Sequence, residues 1–171
     1  MGEYLHIGTD DLSVDDIVDV AIHKHKIKLD ADAVKRVRES RASIERIVAS
    51  GKPVYGLTTG VGRLASVRLE QEQRDLMQKN LLESHAAGTG PRLPREVVRG
   101  AMLLRAASLS HGYSGIKLET LQMLIDLLNA DIIPHVPSQG SVGSSGDLAP
   151  LAHIALALTG TGTCDYQGRT T

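Results

Sequence analysis

The densest cluster of unusual residues is Gly140-Ser141-Val142-Gly143-Ser144-Ser145-Gly146-Asp147, which leads straight into an apolar stretch from Leu148. Glycines at every third position ahead of a helix could cradle a phosphate on backbone amides. The details oppose that reading. Neither the dinucleotide fingerprint nor the GxxxxGK pattern is met, no lysine follows, and Asp147 places negative charge where a phosphate would sit. No nucleotide is expected. The nucleophile-elbow pattern GxSxG also fails, because Asp147 stands where its second glycine belongs, so a serine hydrolase is not indicated.

A second cluster, Tyr55-Gly56-Leu57-Thr58-Thr59-Gly60-Val61-Gly62, carries three glycines in seven residues and no amphipathic period. It reads as a loop whose backbone visits conformations closed to other residues, and it offers the phenol of Tyr55. His85 lies in Ser84-His85-Ala86-Ala87-Gly88 at the end of a helical stretch. His23 and His25 straddle Lys24, but residues two apart do not share a helix face, so both are read as surface residues. His111, His135 and His153 have no metal spacing and are expected to be hydrogen-bonded structural histidines. Cys164, the lone cysteine, allows neither an internal disulfide nor a multi-cysteine zinc site. No metal is expected, and a reducing cytoplasm is the simplest setting.

These groups need elements to hold them. Ser13 and Asp16 form a capping-box pattern ahead of a short helix with Ile17, Val20 and Ala21 on one face. Asp30 can cap a second helix in which Val34, Val37, Ile44, Ile47 and Val48 recur until Gly51 and Pro53, its charges between Lys35 and Arg46 forming a wet face. Residues 70–87 read as helix, broken by Gly88-Thr89-Gly90-Pro91. Residues 96–110 and 118–128 read as two more, with Pro94 suited to a first turn. A last helix starts at Leu148, with Asp147 as its N-cap and Pro150 harmless in its first turn. Residues 160–171 suggest a short hairpin or a frayed end.

The 171 residues are 42% hydrophobic and 23% charged, with 17 glycines, which fits an ordinary globular chain. With 19 basic and 20 acidic residues and a net charge of −1, no field favours nucleic acid or an anionic membrane. Aromatics are 2%, four tyrosines and nothing else, so stacking platforms for single strands are missing and the core must be aliphatic. The apolar stretch at 148–158 is about half of the roughly 20 residues a membrane helix needs. Residues 1–7 show no basic, apolar leader. A soluble chain without nucleic-acid or membrane partners is expected.

The segment from Gly140 to His153 resembles the prosthetic-group segment of the aromatic amino acid ammonia-lyases, in which an Ala-Ser-Gly tripeptide cyclises unaided to a methylidene-imidazolone, or MIO. Tyr55 to Gly62 is similar to that family's tyrosine loop, Ser84 to Gly88 to its substrate-recognition helix, and Ser110-His111-Gly112-Tyr113-Ser114-Gly115 to a further family segment. The four lie in family order. The resemblance implies a mainly α fold: the amino-terminal part of the fumarase/aspartase-like helical architecture, with short strands and glycine-rich loops. It implies a mostly helical region at 1–110 and the start of the central helical region, with the MIO-forming loop, at 111–171.

It also implies roles. The Gly146 amide nitrogen would attack the carbonyl of Ser144, an approach only a residue without a side chain permits, and Ser145 would lose its hydroxyl as water. The resulting electrophile would capture an amine and make it a better leaving group, next to a helix amino terminus that favours negative charge. Tyr55 matches the catalytic base, His85 the contact to the substrate side chain, and Gly62 the glycine that leaves room for substrate. The context of His85 looks most like the histidine branch, which converts histidine to urocanate and ammonia in a homotetramer.

Ser144 stands where alanine is usual, yet its carbonyl still serves ring closure. Thr58 and Val61 replace the asparagine and phenylalanine common in the histidine branch, so tyrosine or phenylalanine lyases and aminomutases stay open, as does a non-catalytic helical module. Family chains continue far beyond Thr171, so these residues are expected to be an amino-terminal portion, inactive alone.

Overall fold

The computed structural model describes residues 3–140 and 145–171. Three-residue strands β1 (Leu5–Ile7) and β2 (Ile27–Leu29) pair in parallel, with helix α1 (Val14–Ala21) as the crossover. Alternation buries Ile7, Ile27 and Leu29 while His6 and Lys28 face water. The expected capping box at Ser13 is present: its hydroxyl accepts from the Asp16 amide at 3.1 Å, and the Asp16 carboxylate accepts from the Ser13 amide at 2.9 Å. α2 (Ala31–Ser50) begins at Asp30, whose carboxylate accepts from the Asp32 amide, and ends at Gly51 in the left-handed region.

α3 (Gln71–His85) is followed by β3 (Thr89–Arg92), then by α4 (Arg95–Ser110), α5 (Leu118–Asn129), β4 (Ile133–Pro134) and β5 (Pro137–Gln139). α6 (Leu148–Leu158) precedes the hairpin of β6 (Cys164–Tyr166) and β7 (Arg169–Thr170). Gln167 and Gly168 both have positive φ, the type I′ geometry that matches strand twist, so the tail is the hairpin rather than a frayed end. β6 also pairs with β4, which ties the tail to the body. Among the described residues no helix is long and apolar enough to cross a membrane.

α4 is the axis of the core. Val98, Met102, Leu103, Ala106 and Leu109 are buried along it, against Val20 of α1, Leu121, Leu124, Ile125 and Leu128 of α5, and Ile154 of α6. Only the first turns of α2 reach this core, through Ala33 and Val37; its later apolar residues are half-buried beneath a charged face. Asn129 closes the edge of β2, its amide oxygen accepting from Ile27 N and its amide nitrogen donating to Ile27 O, both at 2.9 Å. A side chain there does the work of another strand.

Gly88-Thr89-Gly90-Pro91 follows the helix end as expected, and the residues from Thr89 pair antiparallel with β5, through an irregular register that Gly90, at φ +82°, and Pro91 explain. One sequence expectation needs correction. Asp147 occupies the N-cap position of α6, yet its carboxylate makes no cap hydrogen bond. Ser13 and Asp30 cap from extended backbone, whereas Asp147 sits at φ −114°, ψ −5°. The third residue of α6 is moreover Pro150, which has no amide to receive a cap.

Candidate functional site

The tyrosine loop is a tight, internally bonded turn. The Val54 carbonyl accepts from the amides of Leu57, Thr58 and Thr59 at 3.1, 3.0 and 3.3 Å. Thr58, only 3% exposed, donates its hydroxyl to Lys52 O at 2.6 Å and accepts from Val54 N at 2.8 Å. Thr58 and Thr59 thus pin the loop from inside, and a bridge from Thr59 to Arg68 closes its far side. Tyr55 is thrown outward, 66% exposed, with its phenolic oxygen accepting from the Gly62 amide at 3.2 Å. Gly62 has φ +57°, and a Cβ there would meet nothing within 4 Å. Its missing side chain leaves open space, and its backbone requires a left-handed residue.

Val61 and Leu64 of this loop, with Leu76, Met77, Leu81 and Ser84 of α3, line an apolar cavity of about 360 Å³. The loop is therefore laid along α3, whose last residue is His85. Nδ1 of His85 lies 2.7 Å from Leu81 O, a carbonyl that can only accept, so the proton sits on Nδ1. Among the described residues Nε2 has no hydrogen-bond partner.

On the other side, Ser145 and Gly146 form the exposed turn before α6, and Gly146 adopts φ +72°. Ser144, the first residue of the expected tripeptide, lies outside the described residues. The two elements meet directly: α3 packs along α6, and the Gly88 amide donates to Nε2 of His153 at 3.1 Å. The structure joins Tyr55 to Gly62, and the His85 segment to the helix that follows Ser145-Gly146. Among the described residues no hydrogen bond joins Tyr55 to either of the other two.

Of the histidines read as structural, His153 and His135 are hydrogen-bonded. Nε2 of His135 is 2.6 Å from Asp165 and 2.8 Å from Arg92, and the hydrogen bond from His135 helps hold the Asp165 carboxyl below the usual carboxylate range. His111 departs from the expectation: it is exposed and stacks on Tyr113 with ring centroids 6.5 Å apart. The family-like segment around it is a packing device. A Cβ at Gly112 would lie 2.9 Å from the Arg36 carbonyl, and one at Gly115 would lie 2.2 Å from Ile44. Sequence reasoning missed Arg99, which lies on the buried face of α4; an arginine at an apolar-spaced position was the available signal.

A phenol on a braced loop, an imidazole bonded through Nδ1 to a carbonyl and an exposed Ser-Gly turn at a helix start are thus carried by one mainly helical chain. It belongs to the aromatic amino acid lyase family, whose sequence profile matches residues 12–171. The histidine ammonia-lyase of Deinococcus radiodurans is 50% identical over 159 residues, covering 93% of this chain and 30% of that protein. The crystal structure of the ergothionase of Treponema denticola superposes with a TM-score of 0.91 at 34% identity, over 98% of this chain and 34% of that one. That of histidine ammonia-lyase from Trypanosoma cruzi gives 0.86 at 32% identity, over 97% and 32%. The chain thus spans about a third of the length of the relatives it matches.

Proposed function

We propose that this chain forms the amino-terminal, electrophile-generating part of an ammonia-lyase that converts histidine to urocanate and ammonia. The half-identity to the D. radiodurans enzyme carries this reading. The described residues of the tripeptide suit the prosthetic group: Ser145 has a β-hydroxyl to lose as water, and Gly146 holds a left-handed turn, in the open, that an L side chain would strain. When formed from Ser144, Ser145 and Gly146, the methylidene-imidazolone supplies an electrophilic carbon that takes up the substrate amine and improves it as a leaving group.

This chain's own residues do the rest. The Gly62 amide donates to the Tyr55 oxygen and fixes the orientation of the ring, so in its phenolate form Tyr55 takes the β-proton of a substrate lying over the loop and becomes the phenol. Leu81 O holds the His85 proton on Nδ1, and Nε2 then presents a lone pair to the substrate side chain. Thr58 is buried under the loop, so its departure from the histidine branch alters how the loop is pinned, not what it shows the substrate. The complete site and the homotetramer we propose draw on the remaining two thirds of a family-length chain.

The test is the full-length protein. Ammonia release from histidine is expected, with an intact mass about 36 Da, two waters, below the sequence mass. An unmodified mass, or product from phenylalanine or tyrosine in place of histidine, overturns the assignment.

A further inference from the structure

His153 reaches from α6 to the chain leaving α3. The Gly88 amide lies beyond the helix end at His85, and its partner, at 3.1 Å, is Nε2 of a side chain 65 residues away. An N–H donor requires a lone pair on Nε2, so the ring is neutral with its proton on Nδ1. Burial pushes the His153 imidazole below its ordinary pKa, which favours this accepting form. The contact is also crowded. A Cβ at Gly88 would lie 3.0 Å from that nitrogen and 3.1 Å from Cβ of Pro137, and one at Gly140 would lie 2.7 Å from Cα of Gly88. Three segments converge here: the exit of the His85 helix, the strand that enters the Gly/Ser segment, and the helix that leaves it.

We propose that His153 is a positioning residue of the lyase reaction, setting the spacing between His85 and the Ser145-Gly146 turn by holding the Gly88 amide. This rests on the ammonia-lyase reading above. The lone pair of Nε2 is committed to Gly88, so His153 acts through the chain it grips rather than on substrate. A small shift of that chain moves the group that meets the substrate side chain relative to the group that meets its amine. Such a misfit lowers turnover more than affinity.

The test uses the full-length enzyme with His153→Gln, which retains an acceptor of similar reach, His153→Leu, which has none, and Gly88→Ala, which displaces an intact imidazole. His153→Leu and Gly88→Ala are expected to lower kcat about 10- to 100-fold with a smaller change in KM, and His153→Gln to recover most of the loss. Hydrogen exchange should show the amides of residues 86–92 losing protection in His153→Leu and regaining it in His153→Gln, while the α1–α2 region is unchanged. Wild-type kcat in His153→Leu overturns the proposal. So does equal loss in the Gln and Leu variants with unchanged exchange at residues 86–92. If the wild-type enzyme releases no ammonia from histidine, phenylalanine or tyrosine, the functional reading fails, and exchange at residues 86–92 still decides whether His153 holds that segment.

Discussion

Arg99 and Asp131 meet at 2.9 Å, and the pair ties three helices together. The Arg99 side chain is 3% exposed and donates to Val20 O at the end of α1 and to Leu128 O of α5, as well as to Asp131. Asp131 follows α5 at φ +57°, where glycine is usual, with Asp131 N bonded to Leu128 O and Ile132 N to Leu127 O. Its carboxylate, held also by Lys24 at 2.9 Å and Arg95 at 3.1 Å, explains an aspartate in that conformation. Arg99→Leu should therefore lower the unfolding free energy by about 3 kcal/mol, since the buried Val20 carbonyl loses its donor, Leu128 O is left with the Asp131 amide, and the carboxylate loses one of its cations. Urea unfolding would measure it, and a change under 1 kcal/mol would refute the tie.

Acid should weaken the fold in two stages. His153 is held below its ordinary pKa, so the unfolded chain takes up the proton first and stability falls as pH drops below about 6.5. Asp131 is partly desolvated, which raises its pKa, but the Lys24 hydrogen bond and the charges of Arg95, Lys24 and Arg99 outweigh this and hold it low. Asp165 is held low chiefly by its hydrogen bond from His135. Their contributions are complete above the ordinary carboxylate value near 3.9 and are lost as pH falls through the lower folded values. Melting curves between pH 3 and 8 should show both stages, with the upper one missing in His153→Gln.

Tyr55→Phe should leave folding almost untouched and strike turnover. The ring is largely exposed, so removing its oxygen should change stability by less than about 0.5 kcal/mol. Ammonia release by the full-length enzyme should fall about 10²- to 10⁴-fold if the Tyr55 phenolate takes the proton. Circular dichroism and product formation on one preparation separate the two effects.

Two glycines make a matched pair. Gly62→Ala meets open space and carries only the strain of φ +57°, about 1–2 kcal/mol. Gly115→Ala carries similar strain at φ +67° and also drives a Cβ to 2.2 Å from Ile44, so its cost should exceed that of Gly62→Ala by about 1–3 kcal/mol. Equal denaturation midpoints for the two variants would contradict this packing.

Much of the fold could be read along the chain. Ser13-Asp16, Asp30 and Gly51 mark helix ends with local chemistry, and the helices follow them within a residue or two. Asp147 misled because its residue type suits a cap, while its backbone, at φ −114° and ψ −5°, lies outside the extended conformation from which Ser13 and Asp30 cap, and one of the two positions a cap can reach is Pro150. The β3–β5 pair was hidden because glycine and proline dominate Thr89–Arg92, and its strand character comes from a partner nearly fifty residues away.

The candidate site divides in the same way. The resemblance of four ordered motifs named Tyr55, Gly62, His85, Ser144, Ser145 and Gly146, and loss of a hydroxyl, a left-handed turn and proton transfer give those residue types their chemical reason. Which groups share a wall, that Thr58 faces inward, and that His153 grips Gly88 were decided by the packing of α3, α6 and β5. Chemical capacity resides in each residue and is written in its letter. Distance between residues far apart in sequence is set by how the buried faces of helices fit, and no local pattern records that.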